Sequence, residues 1–233
     1  METTSSTTSG RPSSKPRSGK ALAAWLLIAG IQITLSFALR GGDERSGNDA
    51  LYRYDFAIGS LIFYGFLIAL TFWIASAYSS VRDSLGLGGL ASRWLGATAG
   101  VIIASAIVAR ALEPVLHAGK EQGFAPDAWR PDRASAFLVN ALVVVTIVPF
   151  AEELFFRGLG VRVLAAYGGP VAVVTTAVVF GLAHGIPVAL PVLVFLATGL
   201  AWVRLRSGSV WPGIIAHGSY NGIGILFTYL TIQ

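Results

Sequence analysis

The chain has 233 residues, of which 54% are hydrophobic and 12% are charged, whereas about a quarter of the residues of a soluble globular protein are charged. This balance excludes a soluble globule, a disordered chain and a coiled coil, and it predicts a polytopic membrane protein. The absence of cysteine excludes thiolate chemistry and disulfides, and the net charge of +5 comes from basic residues scattered at the ends of apolar runs, so no nucleic-acid partner is expected.

The predicted elements begin with a tail, residues 1–20, which is rich in Ser, Thr and Pro and is expected to be disordered, basic and cytoplasmic. Residues 21–233 are expected to form one membrane-embedded domain. Apolar runs bounded by Gly, Pro or charge predict its helices. They are 21–39, 56–78, 94–112, 134–156, 170–185, 188–203 and 210–232. The predicted fold is therefore all-α, a transmembrane bundle of seven helices, with six or eight spans as alternatives.

The distribution of basic residues predicts the orientation of the bundle. With the N-terminus inside, the cytoplasmic segments carry ten Lys and Arg residues and the outside loops carry six. The positive-inside rule then favours a cytoplasmic N-terminus and an external C-terminus. We expect an integral protein of a bacterial cytoplasmic membrane, in contact with the lipid bilayer. The sequence makes no prediction of its oligomeric state.

Two acids and an arginine lie at the end of the fourth predicted helix, where ionisable groups normally face a cavity or a partner. Glu152 and Glu153 are about 100° apart on an α-helix, and Arg157 shares a face with Glu153, four residues before it. We predict that Glu153 and Arg157 form a structural ion pair and that Glu152 is left as a general base, with the reverse division as the alternative. Pro149 lacks a backbone N–H and is predicted to free the carbonyl of Val145.

Two later helices carry histidines at helical spacing from other candidate residues. The string FGLAHG places Phe180 one turn before His184, and HGSYN places His217 and Asn221 four residues apart on one face. A carboxylate, two imidazoles and an amide can activate water, protonate a leaving group and stabilise an oxyanion, as peptide hydrolysis requires. Each string alone also fits helix-to-helix hydrogen bonding or core packing. Their occurrence in three different spans favours a common site.

The three strings resemble, in order and spacing, the motifs of the family of CAAX proteases and bacteriocin-processing enzymes, also called the CPBP or Abi family. They are EExxxR, FxxxH and HxxxN, formed here by Glu152, Glu153, Arg157, Phe180, His184, His217 and Asn221. The resemblance covers residues 150–221 and implies an intramembrane glutamic endopeptidase similar to type II CAAX prenyl proteases. Its substrate would be a membrane-associated or prenylated protein or peptide.

The resemblance also implies a role for each matching residue. Glu152 would activate water, His184 and His217 would position the water or protonate the leaving amine, and Asn221 with a histidine would form the oxyanion hole. The supporting residues would be Glu153, Arg157 and Phe180. No cofactor is expected. Zinc bound by the glutamate and the histidines is the alternative, although the sequence has no HExxH helix.

Two other functions compete with the enzyme hypothesis. A non-catalytic scaffold or immunity protein of the same fold could retain the site as a packing network, because a fold and its motifs do not prove turnover. A proton-coupled transporter also uses buried ionisable residues, but no inverted repeat is visible and the polar residues lie in the C-terminal half.

Overall fold

The computed structural model describes residues 15–39, 49–90, 92–117, 126 and 128–232. Within these residues the chain is helical and contains no strand, which confirms the all-α prediction. The helices are α1 (Lys15–Leu39), α2 (Tyr54–Ala75), α3 (Val81–Leu85), α4 (Leu95–Leu116), α5 (Pro131–Tyr167), α6 (Gly169–Ala183), α7 (Leu190–Ser207) and α8 (Trp211–Thr231). Short 3₁₀ turns connect several of them.

Five of the described helices, namely α1, α2, α4, α5 and α7, are long and apolar enough to cross a membrane. The protein is therefore an integral membrane protein with a polytopic helical bundle. Each predicted apolar run overlaps one helix, but α6 has only 15 residues and α8 is not among the five candidate spans, so the count of seven spans is not confirmed. Helix α1 begins at Lys15, six residues before the predicted start of the first span. The rest of the predicted tail, residues 1–14, lies outside the described residues.

Helix α5 is the longest helix and carries both acids. It contains two stretches of π-helix, Val143–Ile147 and Glu153–Gly160, in which the backbone hydrogen bonds span five residues instead of four. Glu152 ends the α-helical turn between them, and Glu153 begins the second π stretch. Such π turns are rare in proteins, but those that occur often lie at functional sites.

The main hydrophobic core surrounds the second π stretch of α5. Leu154, Phe155 and Leu159 are fully buried. Trp25 of α1 stacks on Phe155 with ring centroids 5.8 Å apart, and its indole N–H donates to the Phe155 carbonyl at 3.1 Å. Because protein side chains enclose this part of α5, the neighbouring acids are shielded from lipid.

A smaller polar cluster lies near the other end of α5. Asn140 is fully buried, and its Nδ2 lies 3.0 Å from the Leu51 carbonyl, 2.9 Å from the Arg53 carbonyl and 3.0 Å from the Ala136 carbonyl. These contacts fasten the turn before α2 to α5. A buried side-chain amide that donates to backbone carbonyls in this way has a structural role.

Candidate active site

Glu153 and Arg157 form the predicted ion pair within α5. Arg157 Nη1 lies 3.1 Å from Glu153 Oε1, and the two side chains are 1% and 0% exposed. The guanidinium carbon also lies 4.2 Å from the ring centroid of Phe180, and Nη2 lies 3.5 Å from the Ala197 carbonyl. A buried ion pair needs such further contacts, because removing both charges from water is costly. Glu153, Phe180 and α7 together therefore hold the arginine.

Glu152 has different surroundings from Glu153. Its Oε1 accepts a hydrogen bond of 2.9 Å from the hydroxyl of Tyr64 on α2. Its Oε2 is buried and has no hydrogen-bond partner in the described part of the chain. A carboxylate with one oxygen engaged and the other free has an acceptor available for a proton. The two adjacent acids thus occupy the distinct environments that their positions around the helix predict.

His217 of α8 connects the two acids. Its Nδ1 lies 3.1 Å from Glu153 Oε1, and its Nε2 lies 3.8 Å from Glu152 Oε2. When Nδ1 carries the proton and donates it to Glu153, Nε2 faces Glu152 as an acceptor. Glu153 therefore orients the imidazole in addition to pairing with Arg157.

His184 lies at the end of α6, beside this cluster. Its Nδ1 is 2.8 Å from the Phe180 carbonyl, one turn earlier in the same helix. The Phe180 ring has its centroid 4.5 Å from that of His184 and 5.6 Å from that of His217. Phe180 is thus shared by both histidines and by Arg157, and it links α6 to the acids on α5.

Asn221 reaches the first π stretch of α5. In this stretch a carbonyl accepts from the N–H five residues later. The carbonyl of Val144 would accept from residue 149, but Pro149 has no N–H. Asn221 Nδ2 donates to the Val144 carbonyl instead, at 3.0 Å. The prediction that Pro149 frees the Val145 carbonyl assumed α-helical spacing, whereas in the π register the carbonyl opposite Pro149 is that of Val144.

Two glycines allow α8 to approach α5 closely enough for these contacts. A Cβ atom at Gly213 would lie 2.7 Å from Glu153 Oε2, and a Cβ atom at Gly218 would lie 2.6 Å from the Val145 carbonyl oxygen. Both distances are far shorter than normal van der Waals contact. His217 and Asn221 therefore reach α5 because glycine faces it one turn before His217 and again between His217 and Asn221.

Tyr64 is the contact of Glu152 that the sequence did not predict. It lies in α2, which the pattern identifies only as an apolar span. The tyrosine hydroxyl itself was a signal that some contact exists, because a buried tyrosine normally has a hydrogen-bond partner. Nothing in the sequence indicated that this partner would be a residue of α5.

Metal ligands are sparse around the two acids. Among the described residues, no three His, Cys, Asp or Glu side chains are grouped closely enough to hold a metal ion. Catalytic zinc sites normally have three protein ligands and an open position. Glu152 and His217, 3.8 Å apart, would provide two ligands for such an ion.

Fold and geometry together define an integral membrane protein of the helical class with a buried glutamate–histidine cluster. Residues 134–223 match the family model described as "Type II CAAX prenyl endopeptidase Rce1-like". This match confirms that the chain resembles CAAX proteases. The matched segment includes every motif residue, whereas Tyr64 lies outside it. No curated protein and no solved structure matches the chain.

Proposed function

We propose that the protein is an intramembrane endopeptidase of the CAAX type, which hydrolyses a peptide bond of a membrane-associated or prenylated protein or peptide. The contact set of Glu152 carries this proposal: one carboxylate oxygen is held by Tyr64, and the other is free and 3.8 Å from His217 Nε2. A water placed to one side of this pair can hydrogen-bond to both groups. Glu152 is then the general base.

The proposed reaction uses the free oxygen of Glu152 to take a proton from this water. The water oxygen attacks the scissile carbonyl carbon, and the electron pair of the C=O bond moves to the carbonyl oxygen. Asn221 has a second amide N–H besides the one donated to Val144, and this N–H stabilises the developing oxyanion. His184 or His217 becomes a second donor once its Nε2 has taken the proton from Glu152. This proton then passes to the leaving nitrogen, the electron pair of the oxyanion re-forms the C=O bond, and the C–N bond breaks.

Glu153, Arg157 and Phe180 act in this proposal by holding the reacting groups. Glu153 orients His217 through its contact with Nδ1, and Arg157 balances the charge of Glu153. Phe180 packs against the guanidinium and both imidazoles. The rigid arrangement keeps the free oxygen of Glu152 directed towards His217 before substrate binds.

The proposed reaction requires no metal, and zinc ligated by Glu152 and His217 is the alternative. Cleavage by detergent-purified protein that persists after chelator treatment supports the metal-free reaction. Loss of cleavage that added zinc restores would favour the alternative.

We place the protein in a bacterial cytoplasmic membrane with its N-terminus in the cytoplasm, on the basis of the basic residues at that end of the bundle.

The test is cleavage of a peptide library, with and without prenyl groups, by the protein in proteoliposomes. We expect wild type to cleave and Glu152→Gln to lose about 10²- to 10⁴-fold in rate while remaining folded, because the amide cannot accept the proton. Asp132→Asn is the matched control, since Asp132 is an exposed acid far from the site in sequence. Ion flux without cleavage would indicate a transporter, and neither activity would indicate a scaffold.

A further inference from the structure

Tyr64 belongs to a helix that the protease motifs do not include. It is half-buried in α2, and its hydroxyl donates to Glu152 Oε1 at 2.9 Å. Phe63 packs edge-on against its ring, with centroids 5.0 Å apart. The first half of the chain thus supplies a direct contact to the acid proposed as the base.

We propose that Tyr64 is a positioning residue for the reaction: its O–H fixes Glu152 Oε1, so that Oε2 is the oxygen that takes the proton from water. This inference rests on the proposed role of Glu152. The terminal torsion of a glutamate is broad and nearly two-fold, so the two oxygens are interchangeable unless one is held. A hydrogen bond to a charged carboxylate is stronger than a neutral one and removes this freedom.

The groups around Glu152 show why this hydrogen bond matters. Tyr64 faces it from α2, His217 faces it from α8, and Glu153 and Arg157 lie beside it on α5. His184 of α6 lies further away, on the other side of the shared Phe180 ring.

Within the described part of the chain, Tyr64 donates the hydrogen bond that Glu152 accepts, whereas the neighbouring Glu153 carries a like charge. Tyr64 therefore holds one oxygen of the base in place beside a second acid.

The experiment measures kcat and KM for Tyr64→Phe in proteoliposomes. We expect kcat to fall about 10- to 100-fold, the usual worth of a hydrogen bond to a charged group, with KM little changed. Tyr52→Phe is the matched control: it removes the hydroxyl of a buried tyrosine that donates to the Ala128 carbonyl, and it should leave kcat unchanged.

A second measurement does not depend on turnover. Infrared difference spectra between wild type and Glu152→Gln isolate the carboxyl stretching band of Glu152, and in Tyr64→Phe the frequency of this band should differ from that of wild type, because the hydrogen bond to Oε1 is lost. If Tyr64→Phe does not fold, incorporation at position 64 of 3-fluorotyrosine, a stronger hydrogen-bond donor, should also shift the band. An unshifted band overturns the role of Tyr64, whether or not the protein cleaves peptides. Absence of cleavage by wild type, by contrast, overturns only the proposed function.

Discussion

Helix α5 carries two buried polar clusters that differ in what they contact. The Asn140 cluster joins a neutral amide to backbone carbonyls of Leu51, Arg53 and Ala136. The cluster around Glu152 joins charged side chains to one another and to side chains from α2 and α8. Both clusters are enclosed by protein in the same helix, so burial alone does not distinguish them.

The two clusters differ in which of their buried atoms have no hydrogen-bond partner in the described chain. At Asn140 the buried atom without a hydrogen-bond partner in the described chain is one neutral amide oxygen, Oδ1. In the acid cluster the corresponding atoms belong to charged groups, among them Glu152 Oε2 and Arg157 Nε. Leaving part of a buried charged group unsatisfied is expensive, so it calls for an explanation in function. Asn140 is thus expected to serve stability, and the acid cluster to serve chemistry.

The largest expected effect is that of Arg157→Ala. It strands Glu153 as a buried carboxylate without its cation, which typically costs about 3 to 5 kcal/mol of stability. Thermal melts in detergent should show a lower transition and less folded protein.

Double variants test which acid the arginine serves. Adding Glu153→Gln to Arg157→Ala should recover part of the stability, since neither charge is then uncompensated and the amide oxygen can still accept from His217 Nδ1. Adding Glu152→Gln should not. Equal rescue by both changes would show that the arginine serves the two acids alike, contrary to the geometry of the ion pair.

Asn221→Ala is expected to have the next largest effect, and mainly on the rate. Loss of one oxyanion donor costs about 10²- to 10³-fold in kcat, with a smaller loss of stability from the uncovered Val144 carbonyl. The measurement is kcat in proteoliposomes, with Ser219→Ala, an exposed change on the same helix, as control. A change in KM alone would assign Asn221 to substrate binding instead of oxyanion stabilisation.

Asn140→Leu should have the smallest effect and, unlike Asn221→Ala, it should lower stability and not the rate. The change leaves backbone carbonyls without their donor and should cost about 1 to 3 kcal/mol of unfolding free energy, while the cleavage rate per folded molecule stays unchanged. Melts and active-site-normalised rates measure the two quantities. A large loss of rate in a fully folded variant would remove the distinction between the two clusters.

The contacts within α5 show how far local spacing can be trusted. The ion pair between Glu153 and Arg157 follows from a separation of four residues, and it is present. The carbonyl that Pro149 frees was predicted to be that of Val145 but is that of Val144, because the sequence does not reveal that α5 widens to a π turn before Pro149. The hydrogen-bond register of a helix depends on the neighbours that hold it, and local sequence does not contain them.

The sequence by itself determined the membrane setting, the all-helical fold and the ion pair, because composition and helical periodicity act through neighbouring residues. It also determined which side chains were candidates, through motifs that lie within the segment matched by the family model. Only the tertiary structure decided how these candidates meet. Tyr64 contacts Glu152 across 88 residues of chain, Asn221 contacts Val144 across 77, and His217 contacts Glu153 across 64. Such contacts depend on how the helices pack, and no local pattern specifies which helix faces which.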